Sequence, residues 1–418
     1  MKLSGAELQR WTRPPLRMST ILIGFTVPIS VALDNLLLAV VLLGAIFNAR
    51  AVWQLGAHHP VARAALLLFG WLFVAMFYGT ASLSEAAGIL GKYLDLAFIP
   101  LFMLLLTGPR ERQWAQYSFL ASMGLTLLLS YLVGLGILAP QHWMCADAGT
   151  ANPVIFHSHI TQNNMMAFAA FLALLNMRKA FSRRAQLAWG VFALLAMVNV
   201  LFMVQGRTGY MILSILLAWS AWSALCGYFR SRGKVCGWKQ GLGLLLALVG
   251  FALAAYYTSP RLSERVSQVS AEYQVWQPNR GGDSSTGLRL DFYYNTLHIV
   301  QQHPLFGVGT GGFPEAYAQQ TQGKDVMKIR NPHNEYLMIA AQTGVFGLLL
   351  LLHLFYAQWR NAPGLDTPFE RDAARGLVLA YMVNCLFNSA LLDHADGLFF
   401  AFMTAVLFAG MNREKKIG

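Results

Sequence analysis

Two arginines and one histidine could carry out a group transfer from a phosphorylated substrate. Arg207 lies in Gly206-Arg207-Thr208-Gly209, where two apolar runs meet. Arg289 lies near the start of a helical stretch at about 287–302. A guanidinium is a fixed fork that matches phosphate oxygens, and its charge does not titrate away. His333 lies in Arg330-Asn331-Pro332-His333-Asn334-Glu335-Tyr336-Leu337, just before a long apolar run. Asn331 is a good N-cap and Pro332 suits the first helical position, so the pattern puts His333 in the first helical turn. The positive end of the helix dipole there favours a neutral ring that can accept a proton, and it also favours bound anions. Each residue has a plainer reading: a snorkelling arginine, a solvated arginine and a histidine that only caps a helix.

Weaker candidates surround these three. Asn334 follows the histidine. Asp393, beside His394, sits in a polar turn and either is solvated or orients a base or an arginine. Lys92 and Asp95 stand at i, i+3, as a neutralising pair or as a lysine facing an anion cavity. His157 and His159 are possible metal ligands, but no nearby carboxylate pattern completes a site. No Asp-x-Asp occurs anywhere in the chain. The expectation is no metal and no cofactor.

These residues must be positioned by a membrane scaffold. Of 418 residues, 56% are hydrophobic and 12% are charged. The charged share is far below the roughly 25% of a soluble domain. Apolar runs recur at about 18–32, 34–48, 62–81, 84–106, 114–138, 158–177, 186–204, 209–227, 240–257, 332–357, 373–391 and 395–411. The expected fold is an all-α polytopic membrane protein, residues 1–418 as one membrane domain, with about twelve transmembrane helices. The N-terminus lacks the short apolar core and cleavage site of a signal peptide. The net charge of +12 reads as topology: Arg and Lys collect in alternate loops, which places both termini in the cytoplasm. Arg207, Arg289, His333 and Asp393 then share the external side. Residues 258–331 form a large, partly helical external segment between helices nine and ten. The four cysteines show no framework spacing, so no structural disulfide is expected.

The order of the short motifs resembles the bacterial O-antigen ligase family, within a superfamily of multi-spanning, GT-C-like ligases and polymerases. The likeness rests on Gly206-Arg207-Thr208-Gly209, then Gly287-Leu288-Arg289 with Gly307-Val308-Gly309, then Pro332-His333-Asn334 running into Thr343-Gly344-Val345-Phe346-Gly347. It implies a donor glycan on undecaprenyl diphosphate and an acceptor hydroxyl on lipid A–core. Transfer would occur at the periplasmic face of the inner membrane, with inversion and without nucleotide or metal. Arg207 and Arg289 match its diphosphate-contacting arginines, His333 its general base, and Asp393 an acidic position in the last external loop. O-antigen polymerases and protein O-oligosaccharyltransferases share this logic with other acceptors. A lipid-linked glycan flippase or transporter is the reading from another class. It would favour mid-membrane charges and internal repeats, whereas most charge here lies at helix ends.

Overall fold

The computed structural model describes residues 5–46, 48–243, 245–246, 250, 257, 267, 271–274, 276–278 and 284–411. A chain this apolar must satisfy its backbone polar groups internally in lipid, and helices do so within one segment. The described residues are mostly helical and contain no strand. The helices are α1 (Gly5–Thr26), α2 (Val31–Ile46), α3 (Ala49–His58), α4 (Pro60–Val74), α5 (Leu83–Lys92), α6 (Asp95–Leu105), α7 (Pro109–Gly134), α8 (His159–Lys179), α9 (Arg183–Val198) and α10 (Arg207–Ser231). They continue with α11 (Ser285–Gln302), α12 (Phe313–Gln320), α13 (Glu335–Asn361), α14 (Pro368–Phe387) and α15 (His394–Phe408).

This is a multi-pass membrane protein. Four helices are long and apolar enough to cross a membrane: α7, α10, α9 with the π turn Asn199–Met203, and α13 with the 3-10 turn Ala362–Gly364. Counting each bent pair as one span adds α2 with α3 and α5 with α6, for up to six. The sequence pattern anticipated about twelve, and two of those expected spans depart from a single apolar helix for physical reasons. The run at 84–106 is two helices bent by 40° at Tyr93-Leu94. α8 has the length, but it carries buried Gln162, Asn163, Asn164 and Asn176. The stretch between the apolar runs at 34–48 and 62–81 is helical, as α3. Most of the expected helix at 240–257, and residues 258–283 apart from a few, lie outside the described residues.

α8 and α15 form the centre of the packing. α15 is buried along nearly its whole length, so it is apolar on every face. Its Phe399 packs on Phe119 at 4.8 Å and its Phe400 on Tyr381 at 4.6 Å. At one end of the bundle Arg112 bridges to Glu370 at 3.2 Å. Near that end Arg375 lies over the rings of Trp219 and Trp359.

The cysteine expectation is corrected. Cys226 and Cys236 form a disulfide, with Cα atoms 5.1 Å apart. After α10 the chain reverses through Gly233, whose φ is 70°, and this turn returns Cys236 to the helix end. A separation of ten residues says nothing of that reversal.

Candidate active site

The residues around His333 do not fold as the sequence pattern suggested. Asn331 does not cap a helix. Its side-chain oxygen accepts the His333 N–H at 3.0 Å, closing a tight local turn. With that oxygen used, the helix begins three residues later. Asn334 is the N-cap, and its side chain accepts from the Leu337 N–H at 3.0 Å. His333 therefore precedes α13 rather than lying in its first turn. Its φ is 52°, the only positive value at a non-glycine among the described residues. Such a left-handed residue costs of order 1–3 kcal/mol and persists only where the surroundings enforce it.

The surroundings here are extensive. The His333 ring stacks on Phe292 of α11 at 6.1 Å. The Tyr293 hydroxyl donates to the His333 carbonyl at 3.3 Å and to the Leu386 carbonyl at 3.1 Å. Asn334 donates to the same Leu386 carbonyl at 2.9 Å. His333 is nevertheless an exposed residue. Desolvation by the enclosing protein lowers its pKa, and the Arg289 charge lowers it further. A neutral ring was expected, but its cause is crowding and a neighbouring arginine rather than the dipole of its own helix.

Arg289 is placed by α11. Ser284 caps that helix by accepting the Gly287 N–H at 3.0 Å. Arg289 then falls one turn before Tyr293, on the stretch that reaches His333. Arg207 is the exposed first residue of α10. The glycines beside it allow close packing: a Cβ on either Gly206 or Gly209 would come within 2.5 Å of the Asn163 side chain. The next residue, Thr208, meets Asn388 at 3.4 Å, and Asn388 bonds Asn384 at 2.8 Å. The end of α14 thus receives α10 through Asn388 and the His333 turn through Leu386. Thr208, next to Arg207, and Asn334, next to His333, both reach the end of α14.

The weaker candidates divide. Asn334 is part of the site, as cap and as anchor. Asp393 caps α15, accepting from Ala395 and Asp396 N–H groups at 3.1 and 3.2 Å, so its carboxylate is engaged in its own helix. Lys92 and Asp95 are separated by the break between α5 and α6. Lys92 is exposed, while Asp95 is buried and pairs with His394 at 3.7 Å. His157 bonds the Val27 carbonyl at 2.9 Å, and desolvation lowers its pKa. His159 opens α8. Among the described residues no group of three His, Cys, Asp or Glu is placed to hold a metal ion.

Sequence reasoning missed Glu335. It is fully buried directly behind the His333 turn and accepts from the Tyr93 hydroxyl at 2.8 Å and the Leu391 N–H at 2.9 Å. One signal was visible: a carboxylate that opens an apolar run needs a buried partner.

The arrangement joins an exposed neutral imidazole to a nearby fixed cation, Arg289, which suits proton removal beside an anionic group. Residues 192–352 match a family model described as O-Antigen ligase. Over that stretch the chain is similar to the O-antigen ligase family. The matched stretch contains Arg207, Arg289 and His333 and ends inside α13. Over most of its length the chain is similar to an uncharacterized protein of Haemophilus influenzae. The two are 21% identical over 363 residues, covering 82% of this chain and 85% of the relative.

Proposed function

We propose that the protein is an O-antigen ligase, transferring a glycan from undecaprenyl diphosphate to a sugar hydroxyl of lipid A–core. The observation that carries this reading is the pairing of Arg289 with a neutral, exposed His333, inside the superfamily-matching stretch. In the reaction the acceptor oxygen bonds to the anomeric carbon as the bond from that carbon to the phosphate oxygen breaks. His333 takes the hydroxyl proton. The diphosphate departs with the bonding electrons, and Arg207 and Arg289 stabilise its growing charge. One in-line displacement inverts the anomeric centre. It needs neither nucleotide nor metal, because the leaving group arrives already activated and the cations are supplied by the protein. The polyprenyl chain lies in lipid against the helices. The site faces the periplasm from the inner membrane, with both termini cytoplasmic.

In vitro transfer tests this. Purified protein is given undecaprenyl-diphosphate-linked glycan and lipid A–core, without nucleotide. Glycosylated lipid A–core is the expected product. Lengthened donor with no labelled acceptor would identify a polymerase instead. Loss of activity in chelator, restored by magnesium or manganese, would overturn the metal-free mechanism.

A further inference from the structure

Two glycine-rich stretches of this chain, Gly307 to Gly312 and Thr343 to Gly347, take no part in the chemistry above. They meet each other. α13 is broken at Gly344, which has φ 67° and ψ −164°. The break frees the carbonyls of the preceding turn, and the loop after α11 binds them. Val308 N–H donates to the Ala341 carbonyl at 2.9 Å and Gly309 N–H to the Gln342 carbonyl at 2.8 Å. Val345 N–H donates back to the Pro304 carbonyl at 2.8 Å. The buried Gln342 side chain accepts from Gly311 N–H at 2.8 Å, and Trp71 donates to the Thr343 carbonyl at 3.2 Å. The end of α4 closes the other side: Thr310 N–H donates to the Ala75 carbonyl at 3.0 Å. The fit leaves no room. A Cβ on Gly344 would lie 2.5 Å or less from the Leu305 carbonyl and the Phe306 nitrogen, and Gly309 abuts Gly79 as closely.

We infer that this interlock is a positioning joint that sets the separation of Arg289 from His333, with Gln342 and Gly344 as positioning residues. α11 leads into the joint from Arg289, and the first part of α13 leads into it from His333. Arg289 lies 13 residues before the end of α11, about 20 Å at about 1.5 Å per residue. Over that lever a tilt of about 3° moves Arg289 by about 1 Å, and a misplacement of about 1 Å can cost about 10²-fold in rate. The groups facing His333 are few. Arg289 and Tyr293 come from α11. Glu335 is turned away onto Tyr93 and Leu391, and Arg330 interacts with Glu85. Arg289 is the charge that depresses the ring's pKa, so slack in the joint should let that pKa rise.

The inference rests on the transfer reaction proposed above, and its test has a readout that does not. Gln342→Met keeps the volume and removes the acceptor for Gly311. Gly344→Ala forces the break apart. Three quantities are measured on purified, monodisperse protein: turnover, KM for undecaprenyl-diphosphate-linked glycan, and the pH at which His333 becomes reactive to diethyl pyrocarbonate, read by peptide mass spectrometry. The expected result is a fall in turnover of about 10- to 100-fold with KM within about threefold, and His333 reactivity moved to higher pH. If Gly344→Ala does not fold, Gln342→Met, which changes no backbone, carries the test. Unchanged turnover with an unmoved His333 profile would overturn the joint. So would a fall in turnover matched by lost donor binding with that profile unmoved, which is general damage. A shifted His333 profile with unchanged turnover would support the joint and overturn His333 as the base.

Discussion

Asn334 makes two bonds that substitution can separate. Its side-chain oxygen caps α13 at Leu337, and its amide nitrogen anchors the turn to the Leu386 carbonyl. Ser and Asp keep the cap and lose the anchor, whereas Ala loses both. The Leu386 carbonyl keeps its bond from Tyr293, so losing the anchor costs about 1 kcal/mol of stability. Losing the cap costs about 1 kcal/mol more. Thermal unfolding in detergent should therefore rank wild type first, Asn334→Ser and Asn334→Asp close together, and Asn334→Ala about 2 kcal/mol below wild type. Turnover should rank differently. If the anchor holds His333 in its left-handed turn, all three variants lose the same interaction, and each falls by about 10- to 100-fold. Donor affinity should hold, because the arginines are untouched. Asn334→Ser or Asn334→Asp with turnover within about threefold of wild type would refute the reasoning, leaving Asn334 as a cap alone.

Further outcomes follow from the same geometry. Arg207→Ala and Arg289→Ala should each abolish transfer in folded protein, while Lys should restore only part of it, since a point charge cannot replace a fork; full activity in Arg207→Ala would remove it from the site. His333→Ala should cost about 10²–10⁴-fold in transfer but retain donor binding, measured separately. The rate should fall on the acid side below the usual histidine range, because burial and Arg289 lower the His333 pKa. In Arg289→Gln that limb, followed as residual turnover against pH, should move upward. Glu335→Ala leaves the Tyr93 hydroxyl and the Leu391 N–H without their acceptor, a loss of about 2–6 kcal/mol at about 1–3 each, visible as a large drop in unfolding temperature.

Much of this was legible in the sequence, where composition and local chemistry decide the outcome. Low charge and repeated apolar runs gave a helical membrane protein, and the helical stretch read at about 287–302 is α11. Arg207, Arg289 and His333 stood out as candidates by residue type and by short motif. What stayed hidden depends on competition between neighbours. Asn331 and Asn334 are both good caps, and nothing local says that Asn331 is used by His333. The pair Lys92 and Asp95 fits one helix by spacing, yet the chain bends between them and Asp95 finds His394. Hydropathy also ignores depth: α15 is apolar and is buried among helices along nearly its whole length.

The broken α13 also bears on how the protein is made. As a linear sequence, Glu335–Gly364 holds an 18-residue apolar stretch with a mean hydropathy of 2.0. An unbroken helix satisfies every backbone group without help, so that is the form in which it can enter lipid alone. The break at Gly344 exposes carbonyls that cost several kcal/mol each in hydrocarbon unless they are bonded. Their partners are Val308, Gly309 and Trp71, which belong to other parts of the chain. Insertion must therefore come first and breaking second, once the loop after α11 has docked. The seating of His333 against α11 is then a late step of assembly, and a chain halted before that docking would hold its helices in the membrane with His333 and Arg289 not yet brought together.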